Sequence, residues 1–151
     1  MNSVPADHPY WMVRELVVQR LDVCVLSFSF YTYIPNSVSD FRRTISLSRD
    51  DLLNEGLVAK LMASTGPDED FAIHSSVTLS DGSCVHMPMV DMDTKSPAQL
   101  DKIRSYIGDY LFHKLVWYRS GRSFHGYGCC LIDEKEWVGF MGDCCCVIRK
   151  A

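Results

Sequence analysis

Hydrophobic and polar positions along this chain change rhythm several times, and each change marks a predicted element. Residues 9–20 predict a short helix leading into a strand. That strand is Val23 to Tyr33, VCVLSFSFYTY, dense in β-branched and aromatic residues with Ser27, Ser29 and Thr32 interleaved. Pro35 and Asn36 end it, and a polar connection follows. Ser48 or Asp50 can then cap a helix over Asp51–Ala63, with Leu52, Leu53, Leu57, Val58 and Leu61 on one side. Gly66-Pro67 stops it and opens a loop carrying Asp68, Glu69 and Asp70.

The second half reads as a repeating alternation of element types. Phe71–Leu79 predicts a strand, Asp81-Gly82 a hairpin turn, and Cys84–Asp91 an antiparallel partner. Ser96 caps the next helix, with Pro97 at its first position. Its apolar stripe is Leu100, Ile103, Tyr106, Ile107, Tyr110 and Leu111. Strands over Lys114–Tyr118 and Phe124–Ile132 follow, joined by a glycine turn at 120–123. Asp133 caps a last helix whose first turn holds Glu134 and Glu136, where the helix dipole favours negative charge. Trp137, Phe140, Met141 and the Cys144–Cys146 triplet fill its buried side. From Cys84 onward the order is strand, helix, strand, strand, helix. One more strand would complete βαββαβ, the split βαβ layout of RRM-like folds. The predicted class is therefore α+β: an N-terminal αβ module over 1–84 and an RRM-like βαββα(β) core over 85–151, within one domain.

Composition narrows the picture. A chain of 151 residues with 47% hydrophobic and 23% charged residues supports a packed core. The net charge of -4 argues against a generally basic nucleic-acid coat protein but leaves room for a local basic groove. No run approaches the length of a membrane span. Asp7, His8, Arg14, Glu15 and Arg20 break up the first twenty residues in a way a secretory signal does not. The seven cysteines include the neighbours Cys129-Cys130 and the consecutive Cys144, Cys145 and Cys146. Such neighbours pair poorly, and no CxxC spacing is present. They read as reduced, small buried hydrophobes of a cytoplasmic protein. His74, His86 and His113 sit in apolar contexts and read as satisfied core histidines. Trp11, Tyr31, Tyr33, Trp117 and Trp137 read as core or rim, and Arg42-Arg43 as a solvated face.

Two short segments carry candidate chemistry. Asp91 and Asp93 close the apolar run of HMPMVDMD. Residues two apart on a strand share a face, so both carboxylates can approach one hard cation such as magnesium or manganese. Taken alone, a DxD is as consistent with a polar strand end. One helix later comes WYRSGRSFHGYG. Ser123 and His125 are again two apart and can both donate to phosphate oxygens. Arg119 and Arg122 supply forked cationic donors, and Gly121 permits close backbone approach. A polar hairpin with a satisfied histidine is the bland alternative. No nucleophile elbow accompanies the Ser–His pair, and no third residue of a triad is evident.

Together these segments resemble the archaeo-eukaryotic primase superfamily, the primase–polymerases, and within it the compact primase-like proteins of bacterial and mobile-element origin. MPMVDMD matches the family's metal-binding DxD motif and SGRSFHGYG its nucleotide-binding SxH motif, in the same order and with a helix between. The likeness covers roughly 85–151, and residues 1–84 fit the family's N-terminal module in outline. The resemblance implies that Asp91 and Asp93 are the catalytic acids and hold Mg or Mn. It implies that Ser123, His125 and Arg122, with Ser120, contact the triphosphate of an incoming nucleotide. It further implies a DNA or RNA template and is compatible with a partner protein such as a helicase.

In the family a third acid lies on the strand after the final helix. The sequence stops where that strand is expected, and Asp133, Glu134 and Asp143 read instead as a cap, a first-turn acid and an exposed helix position. The expectation is therefore a metal-dependent nucleotidyltransferase core of DNA primase–polymerase type. The alternative is a non-catalytic nucleotide- or nucleic-acid-binding module, or a subunit of a replication or defence complex. A plain RRM-like RNA binder, stacking bases on Tyr118, Phe124 and Tyr127, is a third reading. It lacks an RNP-like pattern, and the acidic pair would repel a phosphate backbone.

Overall fold

The computed structural model describes residues 3–32, 34, 41–94, 96–120 and 123–148. The chain divides into two units, 1–83 and 84–151. Both mix helices with antiparallel strands, so the α+β class holds. Among the described residues no helix is long and apolar enough to cross a membrane.

The first unit contains α1 (Tyr10–Gln19), β1 (Val23–Tyr31), β2 (Arg42–Ser48), α2 (Arg49–Leu53), α3 (Glu55–Ala63) and β3 (Asp70–Leu79). β1 lies between β2 and β3 and is antiparallel to both. Its alternation sends Leu26, Phe28 and Phe30 into the core, where Phe28 stacks on Phe71 with ring centroids 5.3 Å apart. Val13 and Val17 of α1 and Leu52 of α2 are buried with them. The Tyr10 hydroxyl, also buried, donates to the Leu52 carbonyl at 2.9 Å and ties α1 to α2. Ser29, on the other side of β1, is fully buried and meets His74 Nε2 at 3.0 Å. His74 is thus a satisfied histidine, and burial, with Arg42 nearby, holds it below the usual imidazole range.

Two departures from the sequence expectation arise here. The polar connection contains a strand, β2, whose Ile45 and Leu47 alternate with polar residues. Arg43 in this strand lies over the Phe30 ring at 4.1 Å, a cation–π contact. The helix expected over 51–63 is two helices. Ser48 and Asp51 form a capping box on α2, and Asn54 breaks the run by accepting a hydrogen bond from Leu57 N–H to start α3. Tyr33, Pro35 and Asn36 lie outside the described residues.

The second unit contains β4 (Cys84–His86), β5 (Met89–Met92), α4 (Ala98–Lys114), β6 (Leu115–Ser120), β7 (Ser123–Gly128) and α5 (Glu134–Ile148). The turn before it forms as expected, with Gly82 at φ 83. The predicted strand 84–91, however, is broken. Pro88 has no N–H to donate to a ladder, and β4 and β5 belong to different sheets. β7 lies between β5 and β6 and is antiparallel to each. β5 and β6 are therefore parallel, linked by α4, with a third strand inserted between them. This is the split βαβ arrangement.

Alternation along these strands sorts the second unit into two faces. Val90, Met92, Leu115, Trp117 and Phe124 pack with Ile103 and Ile107 of α4 and with Phe140 and Cys144 of α5. Asp133 caps α5 in a reciprocal box with Glu136. Ser96 does not cap α4: the helix starts after Pro97 with no side-chain cap. α4 is interrupted at Gly108, whose φ of 81 is not helical. Its expected stripe is only partly realised, because Tyr106 and Tyr110 are exposed. His86 stacks on Trp137 with ring centroids 4.3 Å apart.

The cysteines also differ from expectation. All six whose side chains are described are free, but Cys24, Cys84, Cys129 and Cys145 are exposed and only Cys144 is buried. Burial, reinforced by the neighbouring Asp143 charge, pushes the Cys144 thiol up to about 12. A thiol with so high a pKa stays protonated at pH 8 and is a poor nucleophile. Alkylation of the native protein at pH 8, read by peptide mass spectrometry, should modify the four exposed cysteines and spare Cys144 until denaturant is added. Labelling of native Cys144 at the rate of Cys145 would contradict this packing.

Candidate functional site

Four of the residues singled out by the sequence, Asp91, Ser120, Ser123 and His125, fall on the sheet face that the helices leave uncovered. β5 and β7 pair so that Asp91 lies directly opposite His125. His125 lies opposite Tyr118 on the other side, and Ser123 opposite Ser120. Directly paired residues share a face, so Asp91, Ser123, His125 and Ser120 fall on the side away from Phe124, Trp117 and the helices. Arg119 is in register with Phe124, in the other alternation, and so is not grouped with His125. Arg122 lies outside the described residues.

Side-chain contacts join three of these residues in a line. Asp91 Oδ1 is 3.4 Å from His125 Nδ1. His125 Nε2 is 3.2 Å from Ser123 Oγ. The Ser123 hydroxyl is also within 3.2 Å of the Ser120 carbonyl, to which it can donate. An imidazolium would place an N–H against each partner. The neutral Nδ1–H tautomer would instead face Asp91 and accept from Ser123. The carboxylate thus lies on the Nδ1 side of the ring and the hydroxyl on the Nε2 side. The Asp91 side chain is 79% exposed and His125 31% exposed, so both are open to a ligand. The sequence alone shows no third partner for the Ser–His pair. Asp91 is brought to the other side of the ring by the β5–β7 register, which links residues more than thirty positions apart.

Asp93 lies just past the end of β5 and is exposed. Thr94 N–H donates to the Met92 carbonyl at 2.8 Å across it, a three-residue turn that reverses the chain as the strand ends. Among the described residues no group of three or more His, Cys, Asp or Glu side chains could hold a metal ion. Magnesium needs no such cage. It commonly uses one or two carboxylates and completes its shell with water and substrate phosphates.

A family model described as archaeo-eukaryotic primase 1D-like matches residues 49–147. The chain belongs to this family. Comparison with curated proteins gave no match, and comparison with solved structures gave none. The primase-like match runs from α2 through α5 and takes in both β5 and the β6–β7 hairpin.

Two glycines of the primase-like hairpin do a different job from that expected of a phosphate-binding loop. Gly126 lies opposite Trp117, and a Cβ at Gly126 would come within 2.8 Å of the indole ring. Gly128 likewise leaves room for the Pro88 ring, 2.8 Å from where its Cβ would lie, and donates its N–H to the Pro88 carbonyl at 2.7 Å. Both therefore let neighbouring chain approach β7 from the packed side and hold the strand that presents His125. Gly126→Ala should cost about 1–3 kcal/mol through overpacking. Urea denaturation should show a smaller added cost in a Trp117→Leu background, with coupling of about 1 kcal/mol or more. Equal costs in the two backgrounds would remove the indole contact as the cause.

Proposed function

We propose that this chain is a metal-dependent nucleotidyltransferase core of DNA primase–polymerase type, binding a nucleoside triphosphate and a template strand of DNA or RNA. The observation that carries the reading is the register that sets Asp91, from the acidic segment, against His125 and Ser123, from the hairpin. Membership of the primase-like family supports nucleotide and nucleic-acid binding in general terms. In this reading Asp91 and Asp93 hold a magnesium or manganese ion. When bound, that ion neutralises triphosphate charge and helps align the attacking and leaving oxygens.

The protein's own groups then position and donate. Transfer of a nucleotidyl group asks little covalent chemistry of a protein and much placement of charge. His125 offers its Nε2–H to a phosphate oxygen in place of its contact with Ser123. Ser123 offers its hydroxyl from the same strand face, with Ser120 paired beside it and Arg122 next in sequence. Without a cation, two carboxylates beside a triphosphate repel it, so nucleotide affinity should depend on divalent metal. A cytoplasmic setting and a helicase-type partner are consistent with this role.

Purified protein incubated with template, four nucleotides and manganese should make primer-length product. Asp91→Ala and Asp93→Ala should each reduce synthesis to background while circular dichroism stays unchanged. Nucleotide binding that persists in EDTA and is lost in His125→Ala, with no product formed, would instead mark a non-catalytic binding module. Absence of both nucleotide and nucleic-acid binding in the wild-type protein would overturn both readings.

A further inference from the structure

Beside the phosphate-facing residues, the same sheet face carries an aromatic strip to which the proposed chemistry assigns no role. Tyr118 is the direct register partner of His125, and Val116 that of Tyr127. On the other side of β7, Met89 is also paired with Tyr127. By alternation all four share the face of Asp91 and Ser123. The two tyrosine rings meet edge to face, with centroids 5.7 Å apart and planes at 81°. Val116 is exposed. The helices cover the opposite face, where Trp117 and Phe124 pack.

The polarity of this face therefore changes along the strands. At the Ser120–Ser123 end are hydroxyls, and at the next pair Asp91 and His125 stand in line with Tyr118. One two-residue step further, about 7 Å along the strand, come Met89, Tyr127 and Val116. A nucleotide has the same polarity: anionic phosphates at one end and a planar, weakly polar base at the other. Aromatic side chains on an open sheet are a recurrent means of holding such bases by stacking. Tyr118 is one strand spacing from His125, so a single nucleotide can engage both.

We propose that Tyr118 is a base-stacking residue, its ring held edge to face with Tyr127. The base of a nucleoside triphosphate whose phosphates engage Ser123 and His125 lies on it, flanked by Val116. This rests on the nucleotide-binding reading above. Stacking on a ring face accepts any base, so the platform adds affinity without choosing among the four nucleotides.

Calorimetric titration in manganese with ATP, CTP and inorganic tripolyphosphate separates the two claims. Tyr118→Ala should weaken ATP and CTP by a similar factor, roughly tenfold. It should leave tripolyphosphate unchanged, and Tyr118→Phe should bind as wild type does. Tyr118→Leu, which keeps apolar bulk at this position, should show the same selective loss and guards against a folding artefact. If Tyr118→Ala and Tyr118→Leu bind ATP normally while His125→Ala does not, the stacking assignment fails and nucleotide binding stands. If these variants keep ATP affinity but lose single-stranded oligonucleotide binding, Tyr118 serves the template and the assignment is again overturned. If neither ATP nor tripolyphosphate binds the wild-type protein, both claims fall together.

Discussion

The register between β5 and β7 is the constraint on which the site depends. Strand side chains alternate with a period of two, so a slip by one residue would carry His125 into the helix-packed core and Phe124 out to solvent. Several features oppose such a slip. Val90, Met92 and Phe124 are committed to the apolar side. Trp117 fits over Gly126, and Pro88 fits over Gly128, where any larger side chain would collide. The Gly128 N–H to Pro88 carbonyl bond adds a fixed point at the end of the ladder. Packing on one face thus determines which polar groups meet on the other.

The split βαβ connection explains why that other face is free for chemistry. α4 joins two parallel strands by crossing one side of the sheet, and α5 packs against α4 there. The apolar burial that stabilises the second unit is concentrated on this side. Asp91, Ser123, His125 and Tyr118 contribute little to that burial, so they are available for partners of a different kind. The Asp91–His125 contact is largely exposed and its strength as an ion pair is small. A cation arriving at Asp91 would compete with His125 for the same carboxylate.

Much of this was legible in the sequence because local patterns were strong. The βαββα order, the Asp133 cap, the Asp81-Gly82 turn and the two candidate segments all follow from periodicity and turn chemistry. What the sequence could not supply was pairing. Nothing in either segment announces that Asp91 faces His125, because that fact belongs to the alignment of two strands separated by a helix and another strand. Some misses had readable signals. Ile45 and Leu47 alternate with polar residues in β2, Pro88 marks the break between β4 and β5, and Asn54 is a good helix cap. The interruption at Gly108 was masked by an apolar stripe that continues through it, although only Ile103 and Ile107 of that stripe are deeply buried. The exposure of most cysteines was not legible, since burial depends on which strand edge or helix side each one occupies.

The two-face division of β7 also bears on how such a chain tolerates change in length. Its six residues form a strip with two readings: Ser123, His125 and Tyr127 on one side, Phe124, Gly126 and Gly128 on the other. Deleting or adding one residue inside the strip exchanges the readings beyond that point, delivering bulky groups to the places reserved for hydrogen. Adding two restores the parity but shifts every partner by one pair. Drift in length is therefore confined to the connections, and the strand itself behaves as a fixed-length ruler between the acidic segment and the hairpin.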